Sequence, residues 1–438
     1  MRRIFTIACT LFPTLTILLL YSGCKPGLVG PAPSTGFLNV FRYVAIGDGF
    51  TAGVTNGSLE PYSYSGLYAE GQQYAFPKLI ADQFLLAQLI DFEQPEMPGV
   101  GSGHLRIDSM SHTECPLESP APVLSTVNPQ AGWKDVYVPK KQINNLGIPQ
   151  LKTSHILKDS MIQMNPFFTR INPSGDSYIS LIKESRPGFF TLWLGMTDFL
   201  GFAMKGAEYY GFHPADAEQF AQALGLLLDE VVLASPQAKG VIGNIPDITL
   251  FPYFKTVPSQ YVNREKCKGS IIPIYISTDA GVRIATNEDQ ILLPAKDQIG
   301  MEYGQGSSFG LVAENPVPGH WVLDKSEIEL IKKLINEYNL KISEKVASLN
   351  ASLEKPAFVI ADIHYLIGQL AQSYTEDGLE VSNEYLSGGI FSLDGIYFTP
   401  RGNAVIANTF IRTINSFISF GASIPPINIT DYPGVVFP

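Results

Sequence analysis

The stretch from Tyr43 to Gly53, Tyr-Val-Ala-Ile-Gly-Asp-Gly-Phe-Thr-Ala-Gly, constrains this chain more than any other. Four apolar residues, Tyr43 to Ile46, run straight into a glycine-rich turn. Such a run, stopped by glycine, predicts a strand buried on both faces, as in a parallel sheet. A parallel sheet needs covering layers, and the chain supplies them. Apolar runs over 189–194, 239–244 and 357–363 alternate with amphipathic stretches over 77–89, 176–184, 213–233, 324–349 and 400–420. This alternation predicts a doubly wound parallel sheet. In open sheets of that kind, sites form just past the carboxyl ends of the strands. The turn at 47–53 is therefore the first place to look for chemistry.

Two segments break the alternation. Residues of about 91–140 are rich in proline and have little period, which predicts a loop-rich insertion. Residues of about 252–322 hold short runs such as Ile271–Ile276 and Gln290–Leu293 between Gly, Asn and Asp, which predicts a β-rich insertion. Asp324 and Glu327 then form the signature of a capping box. Residues 38–424 read as one elaborated domain, and the proline-rich 425–438 as a tail or a surface strap.

The N-terminus reads as a targeting segment. Arg2 and Arg3 precede an apolar run from Ile4 to Leu20, and Tyr21-Ser22-Gly23-Cys24 resembles a bacterial lipobox. This predicts a signal peptide over 1–23, lipid on Cys24, and a flexible Pro/Gly tether over 24–37. The expected location is the bacterial cell envelope, at the outer membrane. Cleavage would remove two arginines and make the formal charge two units more negative than the −11 of the full chain. That balance excludes nucleic acid as a partner and argues against adsorption to anionic lipid, leaving the anchor as the expected membrane contact. Cys115 and Cys267 remain. They either form a disulfide across a long loop or stay as separate thiols. No cofactor is expected, and no metal: Cys115 beside His112 makes no ligand set.

Four blocks lie in order along the chain. The first is Gly47-Asp48-Gly49-Phe50. The second runs from Asn145 to Gln150 (Asn-Leu-Gly-Ile-Pro-Gln). The third runs from Leu194 to Asp198 (Leu-Gly-Met-Thr-Asp). The last runs from Asp394 to Pro400 (Asp-Gly-Ile-Tyr-Phe-Thr-Pro) and leads into Arg401-Gly402-Asn403. Together they resemble the SGNH, or GDSL, hydrolases, and in particular their longer lipoprotein members. The resemblance implies a flavodoxin-like three-layer α/β/α sandwich with a parallel sheet, elaborated by long insertions. It implies esterase or lipase chemistry: a block-one serine nucleophile, a histidine base in the last block oriented by the aspartate three residues earlier, and an oxyanion hole built by the serine amide, a block-two glycine amide and a block-three asparagine side chain.

Carried over residue by residue, that machinery is missing. The serine position is Gly49, the histidine Tyr397, the asparagine Thr197 and the block-two glycine Gln150. Only Asp394 matches, with no histidine to orient. A tyrosine hydroxyl, with an ordinary pKa near 10, is a poor base at neutral pH. The resemblance therefore implies a catalytically degenerate member. Its site would be formed by Asp48, Gly49, Gln150, Thr197, Asp198 and Tyr397, binding a small-molecule, lipid or glycan ligand or a partner protein. Two alternatives stand beside it. One is an active esterase with displaced residues, drawing on Thr51 or on one of His104, His112, His155, His213, His320 and His364. The other is an accessory subunit of an outer-membrane assembly, using the two insertions as contact surfaces. Asp48, Asp198 and Asp394 are not expected to form a cation site, since the first two read more simply as turn-stabilising carboxylates that accept backbone bonds.

Overall fold

The computed structural model describes residues 31–438 apart from 62, 112–120, 208–212, 264–268 and 304–306. Residues 1–23, Cys24, His112, Cys115 and Cys267 lie outside the described residues, so the signal-peptide, lipidation and disulfide expectations do too.

Five parallel strands form the centre: β1 (Tyr43–Gly47), β2 (Asn145–Gly147), β3 (Phe189–Trp193), β4 (Lys239–Gly243) and β5 (Phe358–Ala361). Their order across the sheet is β2-β1-β3-β4-β5. This is the flavodoxin-like order, with the topological switch beside β1. Every residue of β1 and β3 is buried, as continuous apolar runs require when helices cover both faces. Helix α1 (Phe76–Leu85) packs with α7 (Pro400–Ser416) on one face, where Phe76 and Phe410 stack at 5.0 Å. Helices α2 (Tyr178–Ser185), α4 (Ala217–Ala234) and α5 (Lys325–Ala351) cover the other, with Phe220 stacked on Tyr338 at 3.9 Å. Strand β4 gives space to its neighbour: a Cβ on Gly240 would lie 2.3 Å from the Phe190 ring, and one on Gly243 2.6 Å from Trp193.

The capping box is present. Asp324 Oδ1 accepts from the Ser326 and Glu327 N–H groups, and Glu327 Oε2 accepts from Asp324 N–H at 2.6 Å. Replacing Asp324 by Ala is expected to cost about 1 kcal/mol, measured as a shifted urea midpoint with unchanged slope.

Element ends move by a few residues from their expected places, each for a local reason. The run 357–363 is shorter as a strand because Asp362 accepts from Tyr365 N–H and caps a helix, α6 (Ile363–Leu370), that the apolar sequence masked. Segment 91–140 contains an antiparallel hairpin, His104–Met110 with Pro122–Val127. Segment 252–322 contains two further hairpins, Gln260–Asn263 with Ser270–Pro273 and Tyr275–Thr278 with Gly281–Ile284. A small separate core including Ile276, Ile291 and Val317 lies beneath them. The C-terminal residues form a strap: Ile427 exchanges two hydrogen bonds with the Asn408 side chain, and Arg401 donates to Tyr432 O.

Candidate functional site

The end of β1 makes the turn that the sequence suggested. Asp48 Oδ1 accepts from Phe50 N–H at 3.1 Å and caps a single helical turn, Gly49–Ala52, which Gly53 ends at φ 89°. The second oxygen of Asp48 accepts from Thr197, at the start of α3 (Met196–Ala203), through its N–H at 3.3 Å and its hydroxyl at 2.8 Å. The one hydroxyl proton of Thr197 is thus given to a carboxylate behind the site. Asp198 turns the other way. It accepts from the Thr153 hydroxyl at 2.8 Å and from Thr153 N–H, and so ties the end of β3 to the chain beyond β2.

Both carboxyls are buried. Burial pushes Asp48 up to about 7 against the pull of its three hydrogen bonds, and pushes Asp198 up to about 6 against Thr153 and Lys152. A carboxyl raised in the folded state contributes stability fully present below its unfolded value near 4, lost as pH rises through the folded value. The protein is therefore expected to lose on the order of a few kcal/mol between about pH 4 and pH 7 from this pair. Urea midpoints at pH 5 and pH 7.5 check this, and a higher midpoint at pH 7.5 would contradict it.

Asp394 is held by four donors. Its Oδ1 accepts from Ile396 N–H and Tyr397 N–H at 2.8 Å and from the Ser392 hydroxyl at 3.0 Å, and its Oδ2 accepts from Gly57 N–H. The carboxylate fixes the backbone that presents residue 397.

Tyr397 occupies the centre. Its ring packs on Phe50 with centroids 4.6 Å apart. A Cβ placed on Gly49 would lie 2.9 Å from the Tyr397 hydroxyl oxygen and 3.2 Å from Cε1. The phenol therefore takes the space that a side chain at position 49 would need. Burial, with the charges of Asp48 and Asp394, drives its pKa far above the usual phenol value, so the hydroxyl stays protonated. Among the described residues it has no hydrogen-bond partner.

Gln150 sits at φ 61°, in the left-handed region that favours glycine, and its side chain donates to Ser63 O at 2.5 Å. Its N–H has no partner among the described residues. That of Gly49, at the first position of a helical turn, has no intrahelical acceptor.

Gln150, Thr197 and Tyr397 share a cleft of about 60 Å³ with Ser63, Met204 and Ile396. It has room for on the order of a few waters. Asp48, Gly49, Asp198 and Asp394 do not line it, Gly49 because the Tyr397 ring lies against it, and neither does any histidine. Thr51 is fully buried against the Gly47 backbone, so its hydroxyl does not reach the cleft. Leu200, Gly201 and Met204 also face it and were not read from the sequence. Their spacing from Thr197 along α3, three, four and seven residues, was the available signal. A larger cleft of about 380 Å³ lies elsewhere, between Tyr68, His104, Asn403 and the end of the strap at Phe437. Among the described residues, no group of three or more His, Cys, Asp or Glu is placed to hold a metal ion.

A family model described as GDSL-like lipase/acylhydrolase matches residues 43–410, from the first residue of β1 into α7. The chain belongs to this family. Among solved structures, this GDSL-family chain is similar to a candidate GDSL-like lipase from Parabacteroides merdae, at 11% identity over 85% of this chain and 94% of that one, with a TM-score of 0.32. It is also similar to an extracellular lipase from Streptomyces rimosus, at 12% identity over 86% and 98% of the two chains, with a TM-score of 0.33. Comparison with curated proteins gives no match. The family's four blocks fall at the ends of β1, β2 and β3 and at the entry to α7. The three-layer fold and the family that the blocks implied are both found.

Proposed function

We propose that this GDSL-family protein is a lipid-anchored envelope protein that has given up acyl-ester hydrolysis and uses its strand-end cleft for binding. The observation that carries this reading is the approach of Tyr397 to Gly49: the residue at the family's base position fills the nucleophile's seat. A serine at position 49 would meet the phenol at once, and the phenol cannot serve as a base. Thr197 supports the same reading, since the hydroxyl proton it would bring to catalysis is used inside the protein.

What persists is the backbone cradle. At the cleft the Gln150 N–H and the neutral Tyr397 hydroxyl are donors, which suits a small group with an acceptor oxygen, such as a carboxylate or a carbonyl. The lipid on Cys24 would hold the domain at the membrane through the residue 24–37 tether. No helix among the described residues is long and apolar enough to cross a membrane.

The test is hydrolysis of p-nitrophenyl acetate and butyrate by the purified chain. The expected rate equals that of a heat-killed control. Turnover that is lost on changing Thr51 or a single histidine would favour the displaced-residue esterase instead.

A further inference from the structure

The rim of the sheet opposite the cleft has no role in the reading above. In a doubly wound fold every strand starts, and every covering helix ends, on that rim. Here those ends are apolar and exposed. Phe37 (73% exposed) and Phe41 (58%) lead into β1, Leu86 (60%) and Leu89 (83%) follow α1, Leu233 (70%) ends α4, and Ile418 (93%) follows α7. They are tied to one another. Phe37 N–H donates to Phe420 O beside Ile418, Thr35 donates to Gln88 beside Leu89, and Lys239 donates to Phe37 O while lying 5.5 Å over its ring. Six large apolar side chains on one rim exceed the scattered exposure of an ordinary surface and mark a contact face.

The charge on this rim runs against the rest of the molecule. The turns into the strands carry Arg42, Lys141, Arg186, Lys239 and Lys355, against Asp91, Glu184 and Glu354, and Asp91 is paired with Lys141 at 2.5 Å. A chain of formal charge −11 thus has a rim with a positive balance. The chain also enters here: Ser34 bridges to Ser423 beside this patch, and the residues before it include the apolar run Ile4–Leu20 and Cys24.

We infer that this rim rests on the interfacial layer of a phospholipid bilayer. Its apolar side chains enter the boundary between headgroups and acyl chains, and its basic residues face anionic headgroups. Phe, Leu and Ile interleaved with Lys and Arg form the pattern of a surface that lies on a membrane rather than crossing it. The overall negative charge, which argued against adsorption, is carried by the other faces. The consequence is orientation: the cleft of Gln150, Thr197 and Tyr397, at the opposite ends of the same strands, points away from the bilayer. The inference rests on the anchored reading only for how the domain reaches the membrane.

The test is hydrogen exchange of the full chain on vesicles of phosphatidylcholine with phosphatidylglycerol, after flotation. Wild type is compared with the charge-reversed variant Arg42→Glu/Arg186→Glu/Lys239→Glu/Lys355→Glu, and with Phe37→Ser/Ile418→Ser in case the first folds poorly. Peptides over 34–42, 85–91 and 416–421 should exchange on the order of tenfold more slowly in wild type than in either variant, with β3 and α4 unchanged. High salt should shrink the difference. Flotation with no rim protection, or with protection at 252–322 instead, overturns the inference and leaves the anchored reading standing. Absence of flotation overturns both. Rim protection that persists without lipid and grows with protein concentration assigns the face to a second copy of the chain and overturns the inference.

Discussion

Changing Gly49 to Ser, Thr197 to Asn and Tyr397 to His together is expected to create hydrolysis of short acyl esters where none is expected of the natural chain. The three changes act on one space. A serine alone would meet the Tyr397 phenol, whose oxygen lies 2.9 Å from the new Cβ, and the ring is held against Phe50. Gly49→Ser alone should therefore be inactive and cost about 1–3 kcal/mol. An imidazole is shorter than a phenol, and its base strength is matched to neutral pH. The triple variant should hydrolyse p-nitrophenyl acetate on the order of 10²-fold faster than a control that carries Gly49→Ala in place of Gly49→Ser, the lower end of what general base catalysis contributes. Two features keep the gain low. Asp394 already accepts from four donors, which weakens the hydrogen bond it can accept from the new histidine. The Thr197→Asn change also gives up the hydroxyl bond to Asp48. If the triple variant and its alanine control react at the same rate, the Tyr397–Gly49 contact is not what separates this chain from catalysis.

Asp394→Ala is expected to have the largest effect on stability of any single change at the site. It would leave the N–H groups of Gly57, Ile396 and Tyr397 and the Ser392 hydroxyl without their acceptor, in a place where Asp394 itself is 1% exposed. Each orphaned buried donor costs about 1–3 kcal/mol, and the four are not additive. A total loss of roughly 4–5 kcal/mol puts this change among the most damaging classes of substitution. Asp394→Asn should cost less, because Oδ1 keeps three of its donors and only the contact to Gly57 N–H turns repulsive. Urea unfolding of the two variants distinguishes these outcomes. A loss below about 1 kcal/mol for Asp394→Ala would mean that this carboxylate does not hold the segment over the cleft.

The sheet and its layers were legible because they rest on local pattern. Tyr43–Ile46 and Phe189–Trp193 are apolar runs bounded by glycine, and α4 and α7 carry their inward residues at helical spacing. The family blocks were legible because each is a short turn at a strand end. What the cleft contains was not. That Tyr397 takes the seat beside Gly49 depends on a contact between residues 348 positions apart in sequence. The left-handed backbone at Gln150 is invisible in a residue type that rarely adopts it. Helix α6 was hidden because Asp362, its cap, follows an apolar strand with no turn residues between them. The rim was missed for a different reason: net charge is a sum, and it conceals a basic edge on an acidic molecule.

The bridge between Ser34 and Ser423, with the hold of Asp394 on Gly57, bears on the order in which the molecule assembles. The first strand lies inside the sheet, and its turn is completed by Asp394, which lies 337 positions after Gly57 in the chain. A growing chain can pair β1 with β2 and β3, yet it carries an open edge until β4 and β5 arrive, and an unsupported turn until α7 docks. Folding dominated by such distant pairings is slow and exposes unpaired strand edges while it proceeds. Docking of α7 is thus expected late in assembly. Truncation within the final forty or so residues should trap the chain in an aggregation-prone state rather than yield a smaller domain.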